Sequence, residues 1–171
     1  MKRLLFAFFA VMLTAGVATA QSYMVVDSEK VFKSIAAYNE ALSEIETLSA
    51  TYQKQVDDKF AAVETLYNNY MAQRASLSQS ARQAKENEIL SKESEATKFQ
   101  ESIFGTDGTL MKKRIELIQP IQKRVFKAIE EYSQQNGYEL VLDIAQNAEV
   151  LYYSPKADHT QAIIEQVNKT K

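Results

Sequence analysis

The residues able to do chemistry are few. The chain contains no Cys and a single His, His159. That excludes disulfides, thiolate metal sites, a cysteine nucleophile and a histidine-rich zinc site within one chain. His159 follows Asp158, the predicted N-cap of a last helix in which Gln161 takes the third position of a capping box. A solvent-exposed neighbour of a cap describes this His better than a metal ligand or a general base does. Asp57 and Asp58 are adjacent. Adjacent side chains diverge on a helix, so they read as a solvated face rather than an acid–base pair. No phosphate-binding loop, nucleophile elbow or metal-ligand spacing occurs, and the expectation is a protein that is not an enzyme and uses no cofactor. Two sets remain. Tyr38, Tyr52, Tyr67 and Tyr70 either pack on a facing helix or turn flat amphipathic rings toward a bound partner. Lys112, Lys113, Arg114, Lys123, Arg124 and Lys127 stand against Glu116 alone. They form either a solvated face or an attraction for acidic segments.

The elements that must carry these residues are long helices. Only four Gly and two Pro occur in 171 residues, too few for a turn-rich fold, while 46% hydrophobic residues exclude disorder by composition. The N-terminus reads as an export signal. Lys2 and Arg3 precede the apolar run Leu4–Leu13, and Ala18-Thr19-Ala20 supplies small residues for cleavage before Gln21. The run is short of the roughly 20 residues a spanning helix needs. No other run approaches that length, so a soluble mature chain without stable membrane insertion is expected. Without Lys2 and Arg3, 18 basic residues face 22 acidic ones, a net charge of −4. An acidic chain has no general attraction for nucleic acid.

The segment Tyr23–Asp27 is β-prone and ends at Asp27-Ser28, either of which can cap a short helix carrying Val31, Phe32 and Ile35. From Tyr38, apolar residues recur at Leu42, Ile45, Leu48, Tyr52, Val56, Phe60, Val63, Tyr67 and Tyr70. The mean gap is about 3.6 residues, the helical repeat. No Gly or Pro interrupts residues 28–87, and the narrow stripe predicts a coiled-coil arm. Serines at 76, 78 and 80 predict a turn near 76–79 with Ser78 as N-cap. A second helical pattern then runs to the stop Asn136-Gly137 and folds back as an antiparallel hairpin. After it come two predicted strands, Tyr138–Ile144 and Glu149–Tyr153, separated by a turn at Gln146-Asn147-Ala148, and the closing helix. The predicted organisation is a signal peptide over 1–20, a β-rich body from 21–37 and 137–171, and a helical-hairpin arm over 38–136. A sheet of three short strands buries little surface by itself, so the body is expected to assemble with copies of itself. Val25, Val26, Leu140, Leu142, Ile144, Val150 and Tyr152 are the residues expected to form that assembled body.

At this point the chain resembles the Skp/OmpH family of periplasmic chaperones. The resemblance is carried by the opening MVVDSEKVF, the long charged hairpin, and GYELVLDIAQNAEVLYYSPKADHTQAIIEQVNK at the end. The distinctive positions are Gly137-Tyr138, Asp143, Tyr152-Tyr153 and Asp158-His159-Thr160. The resemblance implies a mainly α fold with a small β body, in which a coiled-coil arm projects from a trimeric, β-barrel-like base. It also implies a periplasmic holdase that binds unfolded outer-membrane proteins without ATP or metal. On that reading Tyr52, Tyr67, Tyr70, Lys112, Lys113 and Arg114 are the candidate client contacts. The other reading compatible with the arms is a structural coiled-coil adaptor or spacer of the cell envelope. The best-known members are strongly basic, whereas this mature chain is acidic, so no lipopolysaccharide site is carried over.

Folding the hairpin about Leu77 places Gly105 beside Ser49. Gly105-Thr106-Asp107-Gly108 is weak helix, and so is Thr47–Thr51 opposite, because Gly costs about 1 kcal/mol relative to Ala. The expectation is a hinge in which both helices soften together, roughly 22 Å beyond the level of Pro120, and which Ala at Gly105 and Gly108 would stiffen.

Overall fold

The computed structural model describes residues 22–145 and 150–169. The predicted export signal and the Gln146–Ala148 turn lie outside the described residues. The described chain runs β1 (Tyr23–Val26), α1 (Ser28–Lys33), α2 (Ala36–Gln73), α3 (Gln79–Phe104), α4 (Thr109–Asn136), β2 (Leu140–Asp143), a 3₁₀ turn (Pro155–Ala157) and α5 (Thr160–Lys169). It divides into two units. One holds the residues up to Val31 and from Lys127 onward, and the other holds Phe32–Phe126.

In the first unit β1 and β2 pair in parallel, with Tyr23 opposite Leu140 and Val26 opposite Asp143. A parallel pair needs a long crossover, and here α1 to α4 supply it. On its other side β1 makes a bridge at Val25 to Asp158, where the His159 amide donates to the Val25 carbonyl. Flanked on both sides, β1 buries Met24, Val25 and Val26 against a core that includes Val31, Ala128, Ile163 and Val167. Such a strand reads as a continuous apolar run. The predicted second strand over Glu149–Tyr153 begins outside the described residues, and its described part forms no strand. Val150–Ser154 is irregular, with Leu151 95% and Tyr152 84% exposed. Among the described residues its backbone joins no ladder.

The second unit is the predicted hairpin, with one correction. Burial follows most of the predicted stripe, covering Tyr38, Ile45, Leu48, Tyr52, Val56, Val63 and Tyr70. Within the covered face Ser49, Val56, Val63 and Tyr70 recur every seven residues, as do Arg82, Ile89, Ala96 and Ile103 in α3. This is the seam of a coiled coil, and Leu42, Phe60 and Tyr67 stay exposed beside it. Ser78 accepts from the Ala81 amide as N-cap of α3. Tyr70 meets Glu86 and Lys59 meets the Phe99 ring, so the pairing is centred one to two residues beyond Leu77.

The correction concerns the helices at the expected hinge. The returning helix does stop, at Phe104, and restarts at Thr109. However, α2 continues unbroken through Thr47–Thr51. Both Thr hydroxyls donate to carbonyls one turn back, Thr47 to Ser43 and Thr51 to Thr47, so neither diverts the backbone from the helix. Only the returning helix is interrupted at this level. Nor would Ala simply stiffen the break. A Cβ on Gly105 would lie 2.4 Å from the Glu101 carbonyl oxygen, and one on Gly108 would lie 2.4 Å from that of Ile103.

Candidate functional site

The residues that end and begin elements in the first unit converge on one fastening. Asp27 caps α1, accepting from the Lys30 amide at 3.0 Å, while its own amide donates to the Thr160 hydroxyl at 2.9 Å. Asp143, at the end of β2, accepts from the Ser28 amide and hydroxyl and from the Ala145 amide. Burial opposes the charge on Asp143, but these hydrogen bonds outweigh it and hold the carboxyl below the usual aspartate value of 3.8. Asp27 is lowered in the same way: burial opposes its charge, and the amide and ammonium of Lys30 prevail.

The expectation for His159 is overturned. The ring is half-buried, with the Tyr132 hydroxyl 3.0 Å from Nδ1 and the Tyr138 hydroxyl 2.9 Å from Nε2. Both phenol rings tilt against the imidazole. Burial, and secondarily Tyr138, raises the Tyr132 phenol. The local signal missed was that Tyr132 and Tyr138 flank the helix stop. Gly137 takes φ 71°, the Tyr138 amide donates to Ser133 and the Gly137 amide to Gln134, and this Schellman turn swings Tyr138 back toward Tyr132. The predicted capping box is also corrected. Asp158 accepts from the Thr160 amide, but its own amide donates to Pro155 and the first helical bond runs from Ile163 to His159. With α5 starting at Thr160, Gln161 stands too early for a box and donates to Glu165 instead.

The candidate contact residues are distributed as follows. Tyr52 is half-buried and Tyr70 buried, its hydroxyl donating to Glu86; that bond first, then burial, raises the Tyr70 phenol. Tyr67 is 50% exposed. It lines a groove of about 470 Å³ with Tyr70, Met71, Arg74, Glu86 and Leu90, and Leu90 is 62% exposed. In the basic run, Lys113 pairs with Glu116 at 3.1 Å and with Glu44 of α2 at 3.3 Å, and Lys127 pairs with Glu131 at 3.6 Å. Glu44, distant in sequence, neutralises part of a run that looked opposed by Glu116 alone. Lys112 and Arg114 are exposed. Asp57 accepts from Gln53 and Asp58 pairs with Lys54, each within one turn of its own helix. Of the residues expected in the assembled body, Val25 and Val26 are already buried within the chain. Leu142, Ile144 and Val150 are half-buried, and Leu140 and Tyr152 are exposed. Among the described residues no group of three acidic or His side chains is placed to hold a metal, and no helix is long and apolar enough to cross a membrane.

Among the described residues a long antiparallel helical hairpin stands with a minimal two-stranded parallel sheet, and that architecture defines the fold class. The family model described as outer membrane protein (OmpH-like) matches residues 22–167, and the chain belongs to the OmpH-like family. In fold it is similar to a crystal structure of an outer membrane chaperone (OmpH-like) from Caulobacter crescentus CB15. The TM-score is 0.66 at 11% identity, over 90% of this chain and 87% of that one. No curated protein matches the sequence.

Proposed function

We propose that the protein is an ATP-independent holdase of the periplasm that binds unfolded outer-membrane proteins and keeps them from aggregating. The observation that carries this reading is family membership across nearly the whole mature chain. The exposed apolar side chains agree with it. Tyr67, Met71 and Leu90 lie along an open groove of the hairpin, where many weak contacts with an unfolded chain act together. Export follows from residues 1–20, read as a signal cleaved before Gln21.

The working form on this reading is a homotrimer joined through the first unit. β2 leaves one edge unpaired among the described residues; Leu140 within it is exposed, as are Leu151 and Tyr152 in the irregular segment further along the chain. An exposed edge with apolar neighbours is a template for a strand from another copy. The Gly105–Gly108 break serves as a hinge in the returning helix, so that clients of different size are admitted. The test is dilution of a denatured β-barrel protein with and without this chain. Suppression of aggregation at near-stoichiometric trimer is expected. No effect would sink the holdase reading in favour of an envelope adaptor.

A further inference from the structure

The break between α3 and α4 also opens a small cavity. Its volume is about 140 Å³, its walls are Ile45, Ile103, Phe104, Leu110 and Met111, and Arg114 stands at the same site. The two glycines hold this backbone path, because a Cβ on either would strike a carbonyl oxygen at 2.4 Å. An apolar cavity of about 150 Å³ lined by Leu, Ile and Phe holds a benzene ring, so this one matches a phenyl ring or a branched aliphatic group. Phe104 and Met111 are partly exposed, which leaves the cavity accessible. The charge beside it is unused. Lys113 is engaged by Glu44 and Glu116. The exposed Arg114 side chain has no ion pair or hydrogen bond among the described residues. A guanidinium offers parallel N–H donors that match a carboxylate.

We propose that this cavity is a side-chain site for an aromatic residue of a bound chain whose neighbour in sequence is acidic, with the ring among Ile45, Ile103, Leu110 and Met111 and the carboxylate on Arg114. The identity of the bound chain rests on the chaperone reading; the site itself does not. It adds selectivity to a surface that otherwise binds by apolar area alone.

The test uses 3-phenylpropionate, a ring and a carboxylate two carbons apart, and the uncharged 3-phenylpropionamide. Both are titrated into the chain starting at Gln21 with its Ile, Leu and Met methyl groups labelled for NMR. Saturable shifts at Ile45, Ile103, Leu110 and Met111 are expected, with the acid binding at least fivefold more tightly. Arg114→Gln, an exposed change that leaves the fold intact, should make acid and amide equal. Absence of saturation at these methyls, or equal binding by the unmodified chain, overturns the proposal. A capped Gly-Phe-Glu-Gly peptide should compete with the acid. Competition only by a peptide with a free C-terminal Phe carboxylate would overturn the assignment to an internal acidic neighbour. Probe binding with no suppression of aggregation would remove the chaperone reading and keep the site. Suppression without probe binding would do the reverse.

Discussion

The His159 ring is bonded at both nitrogens, and its neutral form uses one as acceptor and the other as donor. Truncation to Ala strands two part-buried hydroxyls, a loss of about 1–3 kcal/mol. A lower urea midpoint is expected for His159→Ala, and an unchanged midpoint would show that the hydroxyls find water instead. Asp143 adds a pH dependence. Its folded pKa lies below the ordinary value of 3.8 because the hydrogen bonds from Ser28 and Ala145 outweigh burial. The stabilisation is therefore complete above that value, where both folded and unfolded chains are ionised. As pH falls below 3.8 the unfolded chain takes up its proton first, and the contribution disappears as the pH passes the folded pKa. Asp143→Asn should cost about 1 kcal/mol at neutral pH, since the carboxylate is exposed. Urea midpoints of variant and parent should converge as the pH falls below 3.8. A gap that persists at the acid end would mean the charge is not the cause.

Among the elements, the hairpin depends on its turn and on its break. Ser78→Ala removes the acceptor for the Ala81 amide and should destabilise the hairpin by about 1 kcal/mol, read from a thermal melt. The break is asymmetric. Amide exchange should be fast at Thr106–Thr109 and slow at Thr47–Thr51, where α2 is continuous. Equal protection on both sides would exclude a hinge confined to the returning helix. Ala at Gly105 and Gly108 should each destabilise by more than about 1 kcal/mol, because the native backbone has no room for a Cβ. A stabilised double variant would mean that the segment converts to continuous helix.

For the whole molecule, light scattering should give a mass near three chains. Charged substitutions at Leu151 and Tyr152 should dissociate the assembly, since both side chains are exposed in the single chain. A clean monomer at micromolar concentration would defeat the trimer. Client capture should respond weakly to salt. The mature chain is acidic, and Lys113 and Lys127 are already paired within it. Physiological salt screens charges beyond about 8 Å. A hundredfold loss of affinity on reaching that salt would instead assign capture to the basic run.

Periodicity and punctuation carried the sequence a long way. Helix spacing, scarce Gly and Pro, the serines at 76–80 and Asn136-Gly137 located the hairpin, its cap and its end, because these depend on neighbours within a few residues. The two weak glycines marked the break in the returning helix for the same reason. Contacts between distant residues escaped it. Which positions of the stripe stay open, namely Leu42, Phe60 and Tyr67, is decided only once a second helix covers the others. The grip on His159 joins Tyr132, Tyr138 and a loop more than twenty residues later. The neutralising of Lys113 by Glu44 needs the hairpin closed, and Val150–Tyr153 stays irregular although its residues favour a strand. A strand's hydrogen bonds lie on another segment, so propensity proposes it and only a partner backbone can complete it.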